Sequence, residues 1–187
     1  MAKARDWEEL DENVYRYYNG LVSYTIYDSA IGKFFIAADD TGLCRSGFLD
    51  DSGNRSSELF GFPGVEENSV LQKNYLDLAT SQLEEYFQGK RQIFDIPLNS
   101  YISGSFYKRV LDTLRHVPYG TTLSYKSLAQ LAGKPKAVRA AGTACRLNPL
   151  PIFIACHRVL KSSGGTGNYL GGGDKKKYLL NLESSYI

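Results

Sequence analysis

The sequence has 187 residues, and its 22 Lys and Arg against 20 Asp and Glu leave a formal net charge of only +2. Hydrophobic residues at 43% and aromatics at 13% supply enough apolar surface for a packed core, which excludes a disordered chain. The near-neutral average hides a division: residues 1–100 carry 9 basic and 17 acidic side chains, whereas residues 101–187 carry 13 basic and 3 acidic. Segregation of that size predicts a polyanionic partner for the second half.

The longest apolar run, residues 149–156, is far shorter than the roughly 20 residues a membrane-spanning helix needs. The opening segment Trp7-Glu8-Glu9-Leu10-Asp11-Glu12 is acidic and lacks the basic start and apolar stretch of a secretory signal. The expectation is an intracellular protein with no membrane partner, nuclear in a eukaryote and cytoplasmic in a prokaryote. Cys44, Cys145 and Cys156 show neither a paired framework nor the close spacing of a zinc site, so neither disulfides nor a metal is expected.

In chain order, residues 21–27 alternate as a strand does, and residues 33–38 and 42–48 are further candidate strands. Turn chemistry separates them, at Asp28-Ser29-Ala30-Ile31-Gly32 and Asp39-Asp40-Thr41-Gly42. An antiparallel sheet is the simplest arrangement. From residue 69 to 87 apolar side chains recur at Leu71, Tyr75, Leu78, Ala79, Leu83, Tyr86 and Phe87, a helical stripe closed by Gly89. Residues 92–103 read as a linker. The second half is helical: one helix around Phe106 to Leu114, a short one capped by Ser124 and ended near Gly133, and another that opens at Pro135 and runs to about Arg146. Two short helices around a tight glycine turn form the helix-turn-helix pattern. The predicted fold is α+β, an α/β chain in the wide sense. Residues 1–98 form a sheet-plus-helix domain, and residues 99–187 form a winged-helix-like domain.

The second of the paired helices, Lys136-Ala137-Val138-Arg139-Ala140-Ala141-Gly142-Thr143-Ala144-Cys145-Arg146, is built of small side chains from which Arg139 and Arg146 project. Such a helix packs closely in a core or lies closely on another surface. With the positive charge of this half, nucleic acid is the better reading.

Chemistry concentrates at Cys156-His157-Arg158, where a thiol ends an apolar, strand-like run beside an imidazole and a guanidinium. Neighbouring positive charge favours thiolate, the nucleophilic form. Successive residues of a strand point to opposite faces, so Cys156 and His157 share a site only if the chain turns there, and a contact relayed by water is the better expectation. The glycine-rich residues 162–173 fail the dinucleotide fingerprint, because Gly165-x-Gly167 is followed by Gly171 and no βαβ unit surrounds it. A last helix is expected to be capped by Asp174, with Tyr178, Leu179 and Leu182 inward. Its Lys175, Lys176 and Lys177 sit at the positive end of the macrodipole and Glu183 near the negative end, local rules broken in a way that suggests functional placement.

Taken together, Ser124-Tyr125, the start Lys134-Pro135-Lys136-Ala137-Val138-Arg139-Ala140, Asn148-Pro149, Cys156-His157-Arg158-Val159, Gly167-Asn168-Tyr169 and Leu182-Glu183 resemble the O6-alkylguanine-DNA alkyltransferases. These are also called methylated-DNA protein-cysteine methyltransferases. The likeness runs through about residues 104–183, and the first half fits the family's sheet-plus-helix domain in outline. One departure is Ala155, where the family usually has Pro before the reactive Cys. The resemblance implies a partner, double-stranded DNA containing O6-alkylguanine, and a monomer that takes the alkyl group once, with no cofactor. It implies Cys156 as nucleophile, His157 as water-relayed base, Glu183 as the group orienting His157, Tyr125 as donor to the leaving guanine, and Asn148 as brace of the Cys segment. It places Arg139 in the stack vacated by a flipped nucleotide, and Tyr107, Tyr125, Lys126, Lys134 and Ser162 on the DNA. Pro151, Val159, Tyr169 and Gly171 would line the alkyl pocket, where the missing side chain of Gly171 would admit groups as large as benzyl. Two rivals are weighed against it. A lesion-sensing binding module normally has the reactive Cys replaced, and a Cys-His hydrolase explains neither the basic half nor the small-residue helix.

Overall fold

A computed structural model describes residues 22–49, 70–99, 104–167 and 169–186; the acidic segment around Trp7 and residue Asn168 lie outside them. The first half opens with a three-stranded antiparallel meander, β1 (Ser23–Ser29), β2 (Gly32–Asp39) and β3 (Gly42–Phe48). Its two turns are those the sequence signals. Ser29 pairs with Gly32 and Asp39 with Gly42, and the Asp39 carboxylate accepts from the Thr41 amide at 2.7 Å, a side chain taking the place of a ladder partner.

Helix α1 (Val70–Phe87) packs across this sheet. Its buried face consists of Gln72, Leu76, Ala79, Gln82, Leu83 and Tyr86, whereas Leu71 and Leu78 of the expected stripe are exposed. The stripe is rotated, and the two glutamines it brings inside find partners there. Gln72 accepts from the Ser23 hydroxyl and donates to Asp40, while Gln82 makes two bonds to the main chain of Asp95, so their amides are satisfied without water. That last pair also corrects the linker reading. Residues 92–99 are tied to the sheet: Leu43 donates to the Pro97 carbonyl at 2.9 Å, Asn99 donates to the Leu43 carbonyl at 2.7 Å, and Ile96 is buried.

The second half comprises α2 (Ser105–Arg115), β4 (Leu123–Ser124), α3 (Tyr125–Leu131), α4 (Val138–Arg146), a 3-10 turn at Cys156–Arg158, β5 (Val159–Leu160) and α5 (Gly173–Ser185). Ser124 caps α3 as expected, its hydroxyl accepting from the Ser127 amide at 3.0 Å. Gly133 then takes φ 80°, the left-handed angle that lets the chain double back into α4. Helix α4 begins later than expected, at Val138. Pro135 lies in the preceding turn, where Ala137 donates to the Lys134 carbonyl. The parallel pair β4 and β5 joins the helix-turn-helix to the segment carrying Cys156.

One apolar cluster runs through both halves, from Phe34, Leu83 and Tyr86 to Leu111, Leu150 and Leu179. Strand β3 also reaches across: the Ser46 amide donates to the Pro149 carbonyl at 2.8 Å, and the Ser46 hydroxyl donates to the Pro151 carbonyl at 3.3 Å. The sheet thus holds the chain that leads into Cys156. Among the described residues no helix is long and apolar enough to cross a membrane.

Candidate active site

The apolar run before Cys156 is not a strand. Residues 150–154 close a turn in which Ile154 donates to the Leu150 carbonyl, and Ile152 stands at φ 73°, an angle unfavourable for a β-branched side chain. Packing holds it there, since Ile152 is buried and its neighbours Leu150 and Ile154 are too. The chain keeps turning through Cys156–Arg158, so the alternation that would have separated Cys156 from His157 does not apply. At Ala155 the backbone has φ −75°, within the range a proline ring imposes. The departure at this position therefore preserves the geometry and gives up only rigidity. Ala155→Pro should raise stability by about 0.4–1 kcal/mol through the unfolded chain, measured by denaturant unfolding, with no loss of transfer rate.

Asn148 braces the turn. Its amide nitrogen donates to the Ile154 carbonyl at 2.8 Å and to Cys156 Sγ at 3.0 Å, while its oxygen accepts from the Leu150 amide at 3.0 Å. Burial pushes the Cys156 thiol up, opposed by the Asn148 hydrogen bond and by the Lys176 ammonium. The cation whose charge favours the thiolate is thus Lys176, and not the adjacent His157 or Arg158 suggested by the sequence. Arg158 is engaged elsewhere, donating to both oxygens of Glu183 and to the Val117 carbonyl.

Glu183, buried near the end of α5, collects five donors. His157 Nε2 lies 2.8 Å from Oε1, Arg158 reaches both oxygens at 2.8 and 2.9 Å, the Tyr86 hydroxyl donates at 2.8 Å, and the Gly120 amide donates at 3.1 Å. Burial alone would raise this carboxyl, but the hydrogen bonds from His157 and Arg158 outweigh it and bring it down to about 2. An ionised Glu183 only accepts, so His157 carries its proton on Nε2. Burial lowers the His157 pKa against the pull of Glu183, which keeps the ring neutral at physiological pH. Its Nδ1 is buried and has no hydrogen-bond partner among the described residues. The imidazole is therefore set as a base with one free lone pair. Tyr86 of α1 and Gly120 were not legible as site residues, and Arg158 was read as a partner of Cys156, because each matters only through where Glu183 lands.

A cavity of about 490 Å³ opens along α4, lined by Tyr125, Val138, Arg139, Gly142, Thr143, Arg146, Lys161 and Gly167. Three cations on an open groove suit a phosphate backbone, and Lys161 had escaped notice. Burial, aided by the two thiols, raises Tyr125 to about 12, so its hydroxyl stays protonated and can donate. Arg139, Lys126, Lys134 and Ser162 are exposed and Tyr107 half-buried, with the Lys134 ammonium 5.6 Å from the Phe106 ring centre.

Of the expected pocket residues, Pro151 and Val159 are buried and Tyr169 half-buried, its ring 6.5 Å from that of His157. Gly171 leaves no open space. A Cβ there would lie 2.6 Å from the Phe48 ring and 3.1 Å from the Lys175 side chain, so β3 already fills the gap. Gly171→Trp should therefore displace the loop and impair methyl transfer as well as benzyl transfer, where an open pocket would spare the methyl reaction; rates with both groups decide. Two features of α5 also differ. No side chain caps it, Asp174 lying within its first turn, and Tyr178 is exposed while Leu179 and Lys176 are buried.

Two family models match the chain. The 6-O-methylguanine DNA methyltransferase, ribonuclease-like domain covers residues 22–100, and the DNA binding domain of the same description covers residues 105–185. The chain belongs to the 6-O-methylguanine DNA methyltransferase family. Among similar proteins, a methylated-DNA protein-cysteine methyltransferase of Methanosarcina acetivorans is 36% identical, over 87% of this chain and 98% of its own length. One from Rattus norvegicus is 38% identical, over 85% of this chain and 80% of its own. The solved Mycobacterium tuberculosis OGT in complex with DNA superposes with a TM-score of 0.71 at 32% identity, covering 88% of this chain and 94% of that one. A methyltransferase of this family acts on DNA, and the α+β fold with a helical second half is the fold of these relatives.

Proposed function

We propose that this protein repairs double-stranded DNA containing O6-alkylguanine by moving the alkyl group onto Cys156 Sγ, as a monomer acting once. The observation that carries this reading is the buried line of Glu183 and His157, whose Nδ1 has no hydrogen-bond partner among the described residues, next in the chain to a sulfur gripped by Asn148. His157 Nδ1 takes the thiol proton by way of water. The sulfur pair then forms the bond to the alkyl carbon while the pair of the carbon–oxygen bond returns to guanine, and the Tyr125 hydroxyl donates to the departing base. A thioether does not hydrolyse, so no second turnover follows.

A duplex hides the lesion, and the nucleotide has to be flipped out of the stack. Helix α4 carries the small side chains that allow close approach, with exposed Arg139 near its start to fill the vacancy. Tyr107, Lys126, Lys134 and Ser162, with Arg146 and Lys161 of the groove, hold the backbone. Pro151, Val159, Tyr169 and the Gly171 loop enclose the alkyl group. We place the division between the sheet-plus-helix and DNA-binding domains near residue 98.

Intact-mass spectrometry after mixing with an oligonucleotide carrying one O6-methylguanine tests the reading. Gain of one methyl group per protein is expected, and an unchanged mass would identify a lesion-binding module instead. Arg139→Ala should slow repair in duplex DNA by about tenfold or more while reaction with free O6-benzylguanine stays within about twofold, because only the duplex requires flipping. Equal losses on both substrates would move Arg139 out of that role.

A further inference from the structure

We infer that Tyr86 is a positioning residue for the base: its hydroxyl shares the Glu183 oxygen that holds His157, and by tempering the pull of that carboxylate it leaves the imidazole neutral, with a lone pair on Nδ1. The inference deepens the proposed function and rests on His157 being the base.

The phenol is fully buried on α1, and its ring meets those of Phe87, Phe94 and Tyr119 at centroid distances of 5.5, 5.4 and 6.0 Å. Phenylalanine would make each of these contacts without burying a hydroxyl, so packing does not account for the oxygen. Its hydrogen bond runs to Glu183 Oε1 at 2.8 Å. Charge balance does not account for it either, because Arg158 already pairs with the carboxylate through two nitrogens. Burial and the adjacent carboxylate both hold the phenol protonated, so it donates.

An ionised carboxylate offers about four lone-pair sites, and Glu183 meets five donors. The crowding falls on one oxygen. Oε1 receives His157 Nε2, Arg158 Nη2 and Tyr86 Oη, each at 2.8 Å, while Oε2 receives Arg158 Nε at 2.9 Å and the Gly120 amide at 3.1 Å. Donors on one charged oxygen draw on the same negative charge, so the share taken by the phenol is withdrawn from the imidazole. His157, Arg158 and Gly120 all belong to the second half of the chain, and the phenol alone arrives from the sheet-plus-helix half.

Both the hydrogen bond and the charge of Glu183 favour a protonated His157, against burial, Arg158 and Lys176. Tyr169 before α5, its ring 6.5 Å from the imidazole, is protonated and neutral. Among these groups only Glu183 pulls toward imidazolium, the form in which Nδ1 carries a proton and cannot act as a base. Without the phenol that pull strengthens, and the ring gains its second proton at higher pH.

The test is the pH profile of single-turnover methyl transfer, read by intact mass with a saturating O6-methylguanine oligonucleotide. Tyr86→Phe keeps the ring and removes the hydroxyl. It should move the acid limb of the profile up by about half to one pH unit, a threefold to tenfold loss on that limb, with rates above it within about twofold of native. In a Glu183→Gln background the same substitution should move nothing, because the charge that the phenol shares is gone. Phe87→Leu disturbs the same aromatic cluster without a bond to Glu183, and should lower the thermal midpoint while leaving the limb in place. An acid limb that stays or moves down in Tyr86→Phe, an equal shift in the Glu183→Gln background, or a shift reproduced by Phe87→Leu overturns the role of Tyr86. A native protein that gains no methyl would overturn the proposed function itself.

Discussion

Cys156→Ser should abolish alkyl transfer and leave binding to O6-methylguanine DNA in place. Serine is the smallest change available at this site, replacing a polarisable sulfur with an oxygen whose proton is far harder to remove. Activation by a base relayed through water does not make up that difference, and the rate should fall below detection. Binding should survive because the side chains proposed to meet DNA, Arg139, Lys126, Lys134 and Ser162, lie on other elements and are exposed. Cys145 does not substitute: burial holds its thiol protonated well above the ordinary thiol range, and the Asn148 side chain grips the other sulfur. Peptide mapping of the methylated native protein, together with a gel-shift measurement on the Ser variant, decides the matter. Methyl on Cys145 in the native protein would remove Cys156 from the mechanism. A Ser variant that retains lesion binding would also behave as a sensor does, which separates recognition from chemistry by a single atom.

What the sequence made legible was local, and what it concealed depended on long-range placement. The turns at Ser29 and Asp39, the Ser124 cap and the Gly133 reversal are signalled by the residues that make them, and all four stand where expected. Cys156, His157, Asn148 and Tyr125 were named through motifs; the structure joins Asn148 to the Cys156 sulfur and His157 to Glu183, and sets Tyr125 in the wall of the groove. The apolar run before Cys156 misled because buried residues in a strained turn have the composition of a buried strand, and the positive φ of Ile152 has no sequence signature. The stripe of α1 misled because apolar periodicity does not register glutamines whose amides find partners on distant segments. Tyr86 was invisible as a site residue for a third reason. Its role arises only when the fold brings its phenol from α1 to Glu183 of α5, distant in the chain.

Glu183→Gln should slow transfer by about a hundredfold to ten-thousandfold, the range expected when the third member of such a chain loses its charge. The amide is nearly isosteric but cannot accept from all five donors. Its NH2 group meets a donor, so either His157 turns or its proton moves from Nε2 to Nδ1, and in both cases the base lacks a lone pair toward the thiol. DNA affinity should be little changed, since Glu183 is buried behind the turn. Acid stability provides an independent readout. Glu183 has a pKa of about 2 in the folded protein against 4.5 for the free group, so its stabilisation is complete above about pH 4.5 and is lost as pH falls toward 2. His157 acts in the same direction in a higher window: its folded pKa is lowered, so the unfolded chain gains protons first and stability declines once pH drops below about 6.5. The native thermal midpoint should therefore fall through both windows. The Gln variant should start lower, with Arg158 left in the interior without its anion, and should show no further loss attributable to residue 183 between pH 4.5 and 2. A variant that transfers methyl at the native rate would remove Glu183 from the chemistry and leave it as the ion-pair partner of Arg158. A slow variant with the native acid profile would show that the carboxylate orients His157 without carrying the stability of the fold.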